Sequence, residues 1–180
     1  MTDPASGQAA LPDGWAVADD PVEVHDLLCA SDAHQAAATG SPAPARRLAT
    51  TRQRVEAGAV HLLRVGGRAV GMFTLTAEAP YDASTVPFPA ARQPHYLSRL
   101  SVHPDELAAG SLIGVRCLRR AVQVAAASGA DSLRSEANPD LAPTWSLLTG
   151  LGFVPCGPTH SDPSGRSWAY LHKPLPGPTG

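Results

Sequence analysis

At 180 residues the chain is long enough to bury a core without disulfides or structural metals, and too short for two full domains. Hydrophobic residues make up 43% of it and charged ones 17%, and 14 basic against 16 acidic side chains leave a formal charge of −2, a balance that disfavours a general nucleic-acid-binding surface. No apolar run approaches the roughly 18–20 residues that span a bilayer, and the opening MTDPASGQAALPDGW lacks the basic-then-apolar layout of a signal peptide, so the chain reads as cytoplasmic with no membrane partner.

Residues 1–13 are small, Pro- and Gly-bearing and without periodicity, which predicts a disordered leader ahead of one domain over 14–176. Trp15, Ala16 and Val17 suit a short first strand. Asp20 before Pro21 starts a helix, an acidic cap followed by a proline in the first turn, and Val24, Leu27 and Leu28 give that helix one apolar face. The stretch GSPAP at 40–44 breaks the chain, and 46–57 follow as an Arg-rich surface helix closed by Gly58. Two β runs, 60–65 and 69–77, flank Gly66-Gly67-Arg68, a connection suited to an antiparallel hairpin.

Residues 80–95 hold Pro80, Pro87, Pro89 and Pro94 and no sustained period, so they read as an irregular loop of unusual length. Tyr81 and Phe88 within it either line an acceptor pocket or pin the loop to the core. The run YLSRLSV at 96–102 alternates like a strand, His103-Pro104 stops it, and a loop is expected over 105–110. From Leu112 onward, Leu112, Val115, Leu118, Val122 and Ala125 recur at helical spacing with Arg116, Arg119, Arg120 and Gln123 opposite, closed at Ser128-Gly129. A strand at 132–136, a helix at 142–151 closed by Gly152, a strand starting at 153–155 and a last strand at 168–172 complete the chain. The order describes an α/β protein, a mixed sheet with helices packed against it.

The second half resembles the GNAT superfamily of N-acetyltransferases, through LSRLSVHP, a Gly-bearing loop running into an Ala/Leu/Arg helix, then LLTGLGF and YLHKPL, in that order. The resemblance implies a GNAT-like fold, a mixed, mostly antiparallel sheet splayed at the cofactor site with helices on both faces. It implies acetyl-CoA as co-substrate, and an amine as acceptor, either a small molecule or a protein amino group; proteins of this kind are commonly homodimers. Leu100, Ser101 and Val102 inherit the strand whose free main-chain groups pair with the pantetheine arm. The segment Ala108, Ala109, Gly110, Ser111, Leu112, Ile113 and Gly114 inherits the pyrophosphate, which would meet unpaired N–H groups and the positive end of a helix dipole. Asn138 stands near the place of a cofactor-contacting asparagine, or serves a turn with Pro139. Leu107 replaces the Arg or Gln usual before the loop glycine, and Leu148 stands where a tyrosine frequently acts as general acid.

An attacking amine must be neutral, so a base or ordered water has to take its proton. The candidates are Glu136, at the end of the strand expected to flank the split, otherwise a solvated strand-end charge; His103, with a pKa suited to proton transfer, otherwise a loop-start residue; and Ser98. Ser98 and Arg99 should project from opposite faces of their strand, so that one of the two points to the acceptor cleft. The seven histidines form no ligand-spaced cluster, and Cys29, Cys117 and Cys156 are odd in number and far apart. Neither a metal nor a disulfide framework is expected, and the cysteines read as buried free thiols. The rival reading is a non-catalytic acyl-CoA-binding or regulatory module of the same fold.

Overall fold

The computed structural model describes residues 13–40 and 42–176. Nearly all of the leader expected at 1–13 lies outside them, although Asp13 accepts a hydrogen bond from the Gly67 N–H at 2.8 Å. The strands are β1 (Gly14–Val17), β2 (Val60–Val65), β3 (Arg68–Thr76), β4 (Pro94–Val102), β5 (Ser132–Ala137), β6 (Val154–Ser161) and β7 (Ser167–Pro174). The helices are α1 (Pro21–Thr39), α2 (Leu48–Glu56), α3 (Pro104–Ala108), α4 (Ile113–Ala127) and α5 (Ala142–Gly150). The strands make one sheet in the order β1-β2-β3-β4-β5-β7-β6, antiparallel at every pair except the parallel β4–β5 pair.

The two central hairpin strands read as continuous apolar runs because both their faces are covered. Leu62, Ala69 and Met72 face one core with Val24, Leu27 and Leu28 of α1 and Val55 of α2. Their neighbours Leu63, Val70 and Phe73 face the other, with Ile113, Cys117, Leu118 and Ala121 of α4 and Leu148 of α5. Alternation along the strand thus feeds two cores at once. Gly71 lets α4 approach β3: a Cβ there would lie 2.5 Å from Ile113 Cγ2 and 2.7 Å from Cys117 Sγ. On the opposite face α1 is tied to β2 by Arg64, only 3% exposed, whose guanidinium forms a two-pronged ion pair with Glu23.

Local signals account for the helix ends. The Asp20 carboxylate accepts from the Val22 N–H at 2.8 Å, and Gly40 ends α1 with φ 70°. The loop expected over 105–110 contains α3 instead. His103 accepts the Asp105 N–H through Nδ1, Pro104 opens the first turn, and Asp105 and Glu106 supply negative charge at the positive end of the short helix. The His-Pro step that stops the strand is equally a helix start.

The long loop between β3 and β4 holds a single 3-10 turn, Ala83–Thr85. It lies over β4, β5 and β7 as an aromatic cover: Tyr81 packs on Tyr170 and Tyr96, with ring centroids 4.9 and 6.0 Å away, and Phe88 meets Tyr170 at 6.0 Å. Arg134 of β5 lies 4.5 Å over the Phe88 ring and donates to the Pro89 carbonyl and the Tyr96 hydroxyl. The far end is clamped by Asp131, whose carboxylate accepts the Arg92 and Gln93 N–H groups. Cys117 and Cys156 are buried and Cys29 is half-buried, all three unbridged; burial raises each thiol pKa, that of Cys117 to about 12. No helix among the described residues is long and apolar enough to cross a membrane.

Candidate active site

The parallel pairing of β4 with β5 runs from Pro94↔Ser132 to Leu97↔Ser135 and stops there, although both strands continue. At the vertex the Ser135 hydroxyl donates to the Leu97 carbonyl at 3.0 Å. Beyond it β4 remains paired with β3 through Ser101↔Met72 and Val102↔Gly71. Among the described residues no strand pairs with the other edge of Leu100, Ser101 and Val102. The sheet is therefore split, with one wall of the split an unpaired strand edge.

A register shift sits in the same stretch. Ser98 pairs with Thr74 and Ser101 with Met72, so Arg99 and Leu100 together oppose Phe73. This is a β-bulge, and its first residue, Arg99, has φ 52°, the only positive φ of a non-glycine residue among those described. The bulge resets the side-chain alternation. Ser98 and Arg99 were expected to point to opposite faces; both border the same cavity.

That cavity, of about 170 Å³, lies at the mouth of the split. Leu97 to Ser101 of β4 and Ser135 to Asn138 at the end of β5 form two of its sides. Leu141, Thr144 and Leu148 of the α5 region form a third, and the end of α1 with 42–46 closes the fourth. Asp32 of α1 and Arg46 are joined there by two hydrogen bonds, Nε to Oδ2 at 2.6 Å and Nη2 to Oδ1 at 3.1 Å. Glu136 is paired with Arg166, from the β6–β7 turn, at 3.2 Å. Its carboxyl pKa is raised, chiefly by burial, against the opposing pull of Arg166 and His160.

The candidates from the sequence therefore divide. Glu136, Ser98, Leu100, Ser101 and Asn138 border the cavity, and so does Leu148, which is 2% exposed. His103 does not: it caps α3 and lines a separate depression with Glu23, Arg68 and the Gly66-Gly67 turn. Tyr81 and Phe88 do not line it either, and are spent on the aromatic cover. Asn138 uses Oδ1 to accept the Asp140 N–H at 2.8 Å, the turn role, while still bordering the cavity.

Ala108, Ala109, Gly110, Ser111, Leu112, Ile113 and Gly114 lie outside the cavity. Gly110 has φ 65°, and the N-cap residue of α4, Leu112, is 70% exposed and has no side chain to cap the helix; only the Ser111 hydroxyl, accepting the Ile113 N–H at a long 3.5 Å, touches its first turn. A Cβ on Gly114 would stand 3.2 Å from Leu147 and 3.7 Å from Val102, so this glycine lets the start of α4 sit against both α5 and the last residue of β4. A ligand strand lying along Leu100–Val102 would run toward that helix terminus. Ser135, Arg166 and the Asp32–Arg46 pair were missed from sequence; none belongs to a motif, and only the chain crossing brings them to the cavity. Among the described residues, no group of three or more His, Cys, Asp or Glu side chains could hold a metal ion.

No family model matches the sequence, and no curated protein matches it. Solved structures do match. A GNAT family acetyltransferase from Streptococcus agalactiae 2603 superposes with a TM-score of 0.67 at 12% identity, over 90% of this chain and 95% of that one. The ribosomal-protein-alanine N-acetyltransferase of Brucella melitensis gives 0.65 at 18% identity, over 89% and 99%. The yncA protein of Salmonella typhimurium, solved with its cofactor acetyl-CoA, gives 0.63 at 17% identity, over 92% and 95%. With the split sheet and its β4 bulge, these likenesses establish that the chain has the GNAT acetyltransferase fold.

Proposed function

We propose that the chain is an N-acetyltransferase, which moves the acetyl group of acetyl-CoA to an amine by direct attack within a ternary complex. The observation that carries this reading is the open edge of β4 beyond Leu97, a row of main-chain groups available to an extended amide-bearing arm and continuous with the cavity. That yncA, of the same fold, was solved with acetyl-CoA supports the choice of donor. The pyrophosphate would meet the start of α4, whose N-cap Leu112 offers no capping side chain, and the 108–114 turn, where N–H groups and the helix dipole attract an anion.

In this reading the amine nitrogen bonds to the thioester carbonyl carbon while the C–S bond breaks. CoA leaves as the thiolate. Main-chain N–H groups at the bulge beside Leu100 polarise the carbonyl. Glu136, bordering the cavity with a raised proton affinity, takes the amine proton directly or through water. Ser98 borders the reacting region from the opposite strand. Leu148 has no proton to give, so the departing thiolate takes its proton from solvent.

Thermal unfolding with and without acetyl-CoA tests the donor site. At about 100 times the dissociation constant, binding should add about 2.7 kcal/mol of stability. A shift with thiol release in the presence of amines supports the enzyme, a shift without release on any amine supports the non-catalytic binding module, and no shift removes acetyl-CoA from the reading.

A further inference from the structure

The geometry points to an acceptor amine that carries a carboxylate, held by the guanidinium of Arg99 at the β4 bulge. Five charged side chains border the cavity, and four of them are already matched: Arg46 with Asp32, and Arg166 with Glu136. Arg99 is left over. Among the described residues no acceptor atom or carboxylate pairs with its guanidinium, although the side chain is half-buried. Three arginines against two acids leave the cavity wall with one excess positive charge.

The surroundings do not relieve that charge. Burial, and next the nearby Arg46 and Arg54, lower the Arg99 pKa, with only Asp32 acting the other way, and Asp32 is engaged by Arg46. A half-buried cation among cations gains from an incoming anion more than from solvent. The backbone is also committed to holding Arg99 there, since a φ of 52° costs a β-carbon-bearing residue about 1–2 kcal/mol and brings a side chain into the cavity that regular alternation would send to the other face.

A guanidinium offers a planar fork that fits a carboxylate by two parallel hydrogen bonds. Glu136, on the opposite side of the cavity, is the matching partner for the amine end. About 170 Å³ corresponds to roughly six waters' share of liquid volume, the scale of a small free amino acid.

This assignment rests on the acyl-transfer reading, and the test separates the two. Thiol release is measured with the α-amino acids and with their α-carboxamides as paired acceptors, for the native chain, Arg99→Gln and Arg99→Lys. Free acids should react, with KM at least about 10-fold below that of the paired carboxamides. Arg99→Gln should raise KM for the acid by about 10- to 100-fold and close that gap. It should raise KM for the carboxamide by far less than for the acid, and Arg99→Lys should fall between.

A second readout needs no turnover: titrating the N-acetyl product of the best acid into CoA-loaded protein should give a binding heat that Arg99→Gln abolishes. Equal rates with acids and carboxamides, thiol release from no free acid, or an equal loss on both acceptors in Arg99→Gln overturns the assignment while leaving acyl transfer standing. If acetyl-CoA fails to shift the unfolding midpoint, the acyl-transfer reading falls and this assignment falls with it.

Discussion

A carboxylate that must accept a proton from an ammonium group works best when its own proton affinity has been raised toward that of its partner. Burial raises that of Glu136, and Arg166 holds the rise in check. Glu136→Gln should therefore lower kcat by about 100-fold or more while leaving acetyl-CoA affinity intact. In the proposed reaction the ionised carboxylate is the active form, so activity should be lost as pH falls through its raised pKa. Arg166→Gln removes the restraint and should move that acid limb to higher pH; an unmoved limb in the pH profile of kcat/KM would exclude Glu136 as the base. His61 works in the other direction. It is stacked on Phe73 at 4.8 Å, and burial first, then Arg120, lower its pKa from the ordinary 6.5. A depressed folded-state value means that the folded protein prefers the neutral imidazole. Its contribution is then complete above about pH 6.5 and is lost as pH falls through the folded pKa. The urea midpoint of the native chain should drop between pH 7.5 and pH 5, and by less in His61→Gln. Residue types were legible here, since Glu136, Ser98 and Arg99 all stand out as polar groups near a strand end. What set them in one cavity was a left-handed backbone at an arginine, where no glycine or asparagine announces the bulge.

Between elements, the close packing of α4 on β3 depends on one missing side chain. Gly71→Ala puts a carbon within 2.7 Å of both Ile113 Cγ2 and Cys117 Sγ, and the helix has to shift. Equilibrium unfolding should report a loss of about 1–3 kcal/mol, whereas Gly150→Ala, with open space around the added carbon, should be close to neutral or stabilising. The same displacement would tilt the start of α4, so Gly71→Ala should also weaken acetyl-CoA binding. The strongly periodic elements were legible in extent: the spacing of Leu112, Val115, Leu118, Val122 and Ala125 gives α4 to within a residue or so of its ends, but the face it buries is Ile113, Cys117, Leu118, Ala121 and Ala125, with Leu112 exposed ahead of the helix. Short elements were not. In α3 a proline that ends one element and begins the next carries both meanings, and five residues are too few for a helical period to decide between them. That the sheet is mixed was legible; which two strands form its parallel pair was not, because strand order comes from long-range packing and not from the strands' own alternation.

For the molecule as a whole, the split means that β1–β4 and β5–β7 share only the four parallel pairs from Pro94↔Ser132 to Leu97↔Ser135, together with the helices and loop that cross over them. A ligand arm laid along the open edge would act as a further strand joining the two halves. Amide hydrogen exchange at 98–102 and 136–138 should slow on adding acetyl-CoA, while β1 and the β6–β7 turn keep their rates; uniform slowing would argue against binding in the split. The general architecture was legible in the order of motifs, because each keeps its own local chemistry. The far wall of the cavity was not, since it is assembled from α1, the 42–46 stretch and the β6–β7 turn, far apart in the chain. The state of the cysteines carries a practical consequence. Cys117 and Cys156 are buried and all three thiols are held above their usual pKa, so only the half-buried Cys29 should meet a thiol-detecting dye readily, and once that one equivalent is subtracted the remaining colour in a reaction mixture would report CoA thiol released.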